Sequence, residues 1–304
     1  MVGRWNAFSS WLKQQNMDLA LVTSPSNIFY LTSFFCHPYE RVFAFVVFPD
    51  HEPFMICPAL EKERLKASGF TEEIVAYEDG QDPWLLIQEK LMQRLDKPSV
   101  VLGIEKEHIT YAYVERIQAL FSQVTWASLE EGLWSLRQIK EEHEIQKMKH
   151  AAELADRAIE IGIKGLKAGI SEIELVAQIE GELKKQGIRE MAFPSVVLFG
   201  ENTALPHGEP GKRTLRHGDF VLFDLGVVVD GYCSDITRTV IFGEATEQQK
   251  QVYEIVKQAQ AAALQKCHIG VKMGDLDQTA RQIIQDARYG LYFTHRLGHG
   301  LGIS

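Results

Sequence analysis

The stretch from Gly218 to Arg238, with His217 before it, reads HGDFVLFDLGVVVDGYCSDITR and constrains the fold more than any other part of the chain. Asp219 to Val229 is an apolar run rich in Val, Leu and Phe, and Tyr232 to Phe242 is a second with Thr, Val and Ile. Between them sits Asp230-Gly231, a residue pair suited to a two-residue hairpin turn because both turn positions need positive φ. A turn there sets Val229 opposite Tyr232, Asp224 opposite Thr237, and Asp235 opposite Gly226. Asp224 and Asp235 then lie diagonally across one face of the ribbon, about 7–8 Å apart at the backbone. Two carboxylates converging among apolar strands repel, and are costly to desolvate, unless something positive sits between them. A divalent metal ion, or a pair of them, is the natural candidate. The plainer alternative is a hairpin face that sees water.

At 304 residues the chain is expected to form two domains. Its apolar content is ordinary for a globular protein, and its formal charge of −9 argues against a general nucleic-acid binder or an anionic-membrane binder. No apolar stretch approaches the length of a membrane span. The N-terminal MVGRWNAFSSWLKQQ reads as an amphipathic helix without a signal-peptide core. Cys36, Cys57, Cys233 and Cys267 are scattered without metal-finger spacing, which suits free thiols in a reducing compartment, and a cytoplasmic location is expected.

Up to about residue 121, short apolar runs alternate with helical patterns, which predicts an α/β domain with a mixed sheet. Its strands are expected at Asp18–Thr23, Arg41–Phe48, Pro53–Cys57, Glu73–Tyr77 and Val100–Glu105. Ser24–Asn27 reads as a break, followed by a short aromatic stretch from Ile28 to Phe35. Around Trp126 to Ile139 the texture changes to long helices. Glu141–Ile161 has apolar residues at helical spacing, and Ser171-Glu172-Ile173-Glu174 is a capping box that opens the next helix. Met191–Phe199 reads as a strand, and Ala204–Leu215 as a loop holding His207. Two further helices follow the hairpin. A faint internal echo relates the two helix pairs, each turning on a glycine (Gly169, Gly270).

The second strong element is HRLGHGLG, residues 295–302. Three glycines around His299 let the backbone approach something closely, and a neutral imidazole is a common metal donor. A glycine-rich turn with an incidental histidine is the alternative. His207, in ALPHG, taken alone is a surface loop residue.

Taken together, the order PHG, Asp224 on a strand, Asp235 eleven residues on in SDITR, then HRLGHGLG resembles the metal-dependent Xaa-Pro peptidases. These are the prolidase and aminopeptidase P branch of the pita-bread family, which also holds methionyl aminopeptidases and creatine amidinohydrolase. The resemblance covers nearly the whole chain. It implies a creatinase/prolidase-like N-terminal α/β domain over 1–127. Over 128–304 it implies an α+β pita-bread catalytic domain, pseudo-two-fold, with an antiparallel sheet flanked by helices.

It also implies site roles. Asp224 would bind one metal, Asp235 would bridge two, and His299 would bind the other; His207 and His295 would be the catalytic and substrate-binding histidines. A hydroxide activated by the two metals would attack the carbonyl before proline. Manganese is the expected ion, with cobalt or zinc as alternatives. The expected substrate is a proline-containing di- or oligopeptide, with no nucleic acid and no membrane involved, and the expected assembly is a homodimer. Arg238 is read as one half of a structural ion pair.

The family carries two glutamate ligands downstream of the histidine matched by His299, and the chain holds no acidic residue after it. Those glutamates and the last strands of the sheet are therefore expected beyond Ser304, in a longer protein. A methionyl aminopeptidase reading fits poorly with an N-terminal domain of this size. A metal-free creatine amidinohydrolase reading fits poorly with two retained aspartates. A pita-bread binding protein without activity is the non-enzymatic reading.

Overall fold

The computed structural model describes residues 2–303, and the chain divides into two compact units, the first through Glu142 and the second His143–Gly302. The sequence boundary at 127/128 falls within a strand of the first unit.

Six strands form one mixed sheet in the first unit. β1 (Leu19–Val22), β2 (Ala44–Val47), β3 (Phe54–Pro58), β4 (Glu73–Tyr77), β5 (Ser99–Ile104) and β6 (Gln123–Ser128) lie in the order β4-β3-β2-β1-β5-β6. β2 runs antiparallel to β1 and β3, and the remaining neighbours are parallel. Helices α1 (Val2–Gln14), α2 (Pro25–Thr32), α3 (Lys62–Ala67), α4 (Pro83–Met92), α5 (Tyr111–Gln118) and α6 (Glu130–Gln138) flank the strands in sequence. β1, β2 and β3 are buried along their whole length, as unbroken apolar runs in a sheet covered on both faces should be.

Two features of this unit depart from the sequence reading. The break at Ser24–Asn27 is the start of α2: the Ser24 hydroxyl accepts from the Asn27 amide, and Pro25 takes the first turn, where its missing N–H costs nothing. The carboxylate of Glu105, itself buried, accepts from the Thr23 and Ser24 amides and from Asn27 Nδ2, fastening this helix start to the end of β1. β6 is an unforeseen strand, half-exposed and parallel to β5.

The second unit opens with α7 (Glu142–Gly165) and α8 (Glu172–Lys185). The expected capping box is present, with Ser171 and Glu174 bonding reciprocally. β7 (Val196–Phe199), β8 (Asp219–Leu225), a short ribbon of β9 (Val228–Val229) and β10 (Tyr232–Cys233), and β11 (Ile236–Phe242) follow. The main sheet is antiparallel in the order β11-β8-β7. Val221, Phe223 and Leu225 of β8 enter a core with Ala155 and Ala158 of α7 and Leu175 and Ile179 of α8. Each such side chain, when buried, stabilises by about 1.5–3 kcal/mol. That burial holds the register, since a slip of one residue would exchange the faces. Asp224 is thereby left on the face turned away from α7 and α8.

α9 (Glu247–Gln265) and α10 (Met273–Asp286) complete the unit and meet through Ala259, Ala263, Ala280 and Ile284 in a smaller core. Among the described residues, no helix is long and apolar enough to cross a membrane.

Candidate metal centre

The site is built on the hairpin. Asp230 has φ 47° and Gly231 φ 83°, the doubly left-handed turn whose twist matches that of its strands. Val229 faces Tyr232 and Val228 faces Cys233; from Leu225↔Ile236 to Asp219↔Phe242 the same register continues, including Asp224↔Thr237. Between these two ladders the regular pairing opens. The Gly226 carbonyl turns aside to accept from the Ala192 amide at 2.9 Å. Ser234 closes the gap, its amide donating to the Val227 carbonyl at 3.0 Å and its hydroxyl accepting from the Val227 amide at 3.0 Å. A Cβ on Gly226 would overlap the Ser234 carbonyl oxygen, so only glycine allows this approach. Asp235 follows directly. On the other side of the turn, buried Tyr232 donates its hydroxyl to the buried Glu144 of α7 at 2.7 Å, which pins the ribbon.

Asp224 is half-buried, and the Thr237 hydroxyl donates to its Oδ1 at 2.9 Å. Burial pushes its carboxyl above the usual carboxylate range; the Thr237 hydrogen bond pulls the other way, the Asp235 charge adds to the rise, and His299 opposes it. The two aspartates and the histidine therefore share one electrostatic neighbourhood. His299 Nε2 stands 3.3 Å from Asp235 Oδ2. Its Nδ1 lies 2.9 Å from the Gly300 carbonyl oxygen, which can only accept, so Nδ1 carries a proton. In the neutral ring Nε2 then aims a lone pair at a carboxylate, an arrangement that a proton or a metal cation must mediate. Among the described residues, no three His, Cys, Asp or Glu side chains close into a cluster that could by itself hold a metal ion. The donor types nevertheless suit one: Asp224, whose charge burial makes costly, the Asp235 carboxylate, and an imidazole nitrogen whose tautomer is set by its other nitrogen.

His207 and His295 stand apart from this group. His207 is exposed in the turn after a 3-10 segment (Gly200–Ala204). The exposed His295 packs edge-on against Phe293 at 4.9 Å between ring centroids, and its Nδ1 lies 2.8 Å from the Arg296 carbonyl oxygen. Among the described residues neither histidine bonds to Asp224 or Asp235. Arg238 is exposed and donates to the Thr237 carbonyl; no ion pair forms there among the described residues.

The sequence profile described as metallopeptidase family M24 matches residues 146–304, and that of the creatinase/prolidase N-terminal domain matches residues 4–139. The chain belongs to metallopeptidase family M24. A Bacillus subtilis member of the family, provisionally named a dipeptidase, is 46% identical over 303 residues, covering 100% of this chain and 83% of its own length. The prolidase of Thermococcus sibiricus superposes with a TM-score of 0.92 at 36% identity, covering 99% of this chain and 82% of its own. A Pyrococcus horikoshii dipeptidase gives 0.91 at 34% identity, covering 99% and 83%. These M24 neighbours share the pita-bread fold, so the second unit is of that class, and membership of a metallopeptidase family implies divalent metal ions.

The sequence reading leaves out Thr237 and Glu172 as contributors. Thr237 was within reach, since the turn sets it opposite Asp224. Glu172 stands in the first turn of a capped helix, where an acidic residue ordinarily complements the helix dipole from outside.

Proposed function

We propose that the protein is an Xaa-Pro dipeptidase, hydrolysing the peptide bond before proline, with Asp224, Asp235 and His299 as ligands to a pair of divalent cations. The observation that carries this reading is the approach of His299 Nε2 to Asp235, at 3.3 Å, on the ribbon whose neighbouring strand carries Asp224. Its support from the comparisons is that the relatives named above carry prolidase and dipeptidase names.

When bound, the cations would supply Lewis acidity and a hydroxide nucleophile near neutral pH. The chain's own residues do the rest. Asp224 and Asp235 neutralise the cations, and Thr237 holds Asp224 by one oxygen. His207 donates to the substrate carbonyl and stabilises the charge that grows on it. His295 orients the substrate beside the bond to be cut. Manganese is the first candidate for this oxygen-rich site. A homodimer and a cytoplasmic location belong to the same reading, and four free cysteines suit a reducing compartment.

The test is hydrolysis of Xaa-Pro dipeptides by manganese-loaded protein, with tripeptides Xaa-Pro-Xaa as the comparison for an aminopeptidase preference. Asp235→Ala is expected to reduce turnover to background with an unchanged circular dichroism spectrum. Full turnover in that variant would end the reading.

A further inference from the structure

We infer that Glu172 is a positioning residue for His207, acting through the loop between β7 and residue 211; this rests on the reading of His207 as a substrate-binding group. Glu172 is the first residue of α8 and is fully buried. A buried carboxylate is costly unless its oxygens are satisfied. Here Oε1 accepts from the Phe199 amide at 2.8 Å and from Asn202 Nδ2 at 3.0 Å, and Oε2 accepts from the Gly211 amide at 2.9 Å. Phe199 is the last residue of β7, and Gly211 is the far end of the loop that carries His207. One carboxylate thus joins both ends of that loop. The backbone reinforces the far end, with the Glu172 amide donating to the Arg213 carbonyl and the Ile173 amide to the Gly211 carbonyl, each at 3.1 Å.

The loop so held folds back over the acid-bearing face of the sheet. A Cβ on Gly208 would come within 2.6 Å of Leu198 Cδ1. Leu198 pairs with Leu222, two residues from Asp224 along β8 and therefore on the same face. His207 is the neighbour of Gly208, and its exposed ring makes no hydrogen bond of its own among the described residues. Its place is set by the ends of its loop, and Glu172 is where those ends meet.

Glu172→Gln isolates the point. An amide of the same shape keeps one acceptor and turns a donor toward a backbone N–H. Two readouts apply: hydrogen exchange of the Phe199 and Gly211 amides in the metal-free chain, and kcat/KM for an Xaa-Pro dipeptide in the manganese-loaded protein. Exchange at one of the two amides is expected to quicken about tenfold, and kcat/KM to fall about tenfold, for the loss of one hydrogen bond to a charged group. His207→Ala is expected to cost about a hundredfold, and in that background Glu172→Gln should change kcat/KM by less than about twofold, since coupled residues are not additive. Bound manganese should be the same in all variants. Equal losses from Glu172→Gln in both backgrounds would overturn the inference, as would unchanged exchange and activity. Full activity in His207→Ala would instead remove the His207 reading, and the inference with it. If Glu172→Gln does not fold, Asn202→Ala removes one anchor and leaves the carboxylate satisfied at the other two; its smaller loss must likewise vanish when His207 is alanine.

Discussion

Gly226 is the residue on which the acidic face depends most directly. Its missing side chain lets the Ser234 carbonyl lie against the β8 backbone, and Asp235 is the next residue. Gly226→Ala is expected to push that segment away, destabilising by about 1–3 kcal/mol as overpacking does, and to weaken manganese binding in the same step. Urea unfolding and metal titration check the two effects, and wild-type values in both would contradict this account. The register that sets Asp224 opposite Thr237 was legible from sequence because a two-residue turn fixes every cross-strand partner at once. The glycines drew attention to His299, which the structure sets 3.3 Å from Asp235. Glu172 was not legible, because nothing local tells an inward-turned first-turn glutamate from an outward one. Its direction is set by amides at Phe199 and Gly211, well removed in sequence. Arg238 failed as an ion-pair partner for a similar reason: the opposing acid must come from another element, and none does among the described residues.

At the scale of elements, the stem of the β7–β8 connection depends on Arg213. Its guanidinium bonds Asp219 at 2.8 and 3.1 Å and Glu201 at 2.6 Å. The Arg213 hydrogen bond holds the Glu201 carboxyl down at about 2. Burial raises the Asp219 carboxyl, but hydrogen bonds from Arg213 and the Arg216 amide outweigh it and leave it below the usual range. Depressed folded-state values mean that the stabilisation is complete above the unfolded values and fades as the pH falls toward 2. The urea midpoint is therefore expected to drop between about pH 4.5 and 2, and Arg213→Met is expected to flatten that drop. An identical pH profile in the variant would show that the clamp contributes nothing. Most elements were visible as periodicity, down to the capping box of α8. β6 was missed because an edge strand with one wet face lacks a continuous apolar run, and α2 because Ser-Pro reads equally well as a turn or as a helix start.

For the whole molecule, ligand binding is expected to report on one unit. All five tryptophans (Trp5, Trp11, Trp84, Trp126, Trp134) lie in the first unit, whereas Asp224, Asp235 and His299 lie in the second. Manganese at a hundredfold excess over its Kd is expected to stabilise the second unit by about 2.7 kcal/mol. The circular dichroism transition then shifts and the tryptophan fluorescence transition does not; chelator reverses the shift, and Asp235→Ala abolishes it. A fluorescence shift equal to the dichroism shift would contradict this assignment. The change from short alternating strands to long helices was legible in the pattern of apolar runs; the compact units divide later in the chain than that reading, because α6 reads as the first of the long helices yet goes with the first unit. The Asp230-Gly231 turn also limits how this ribbon can change over generations. Side chains alternate in step with residue number, so a single codon gained or lost within either strand arm, between an acid and the turn, would send that acid to the far side. Paired insertions or deletions within an arm, or a single one taken up by a new bulge or a longer turn, would leave the acids together, so an odd change in their separation along related chains should come with an altered turn or a bulge.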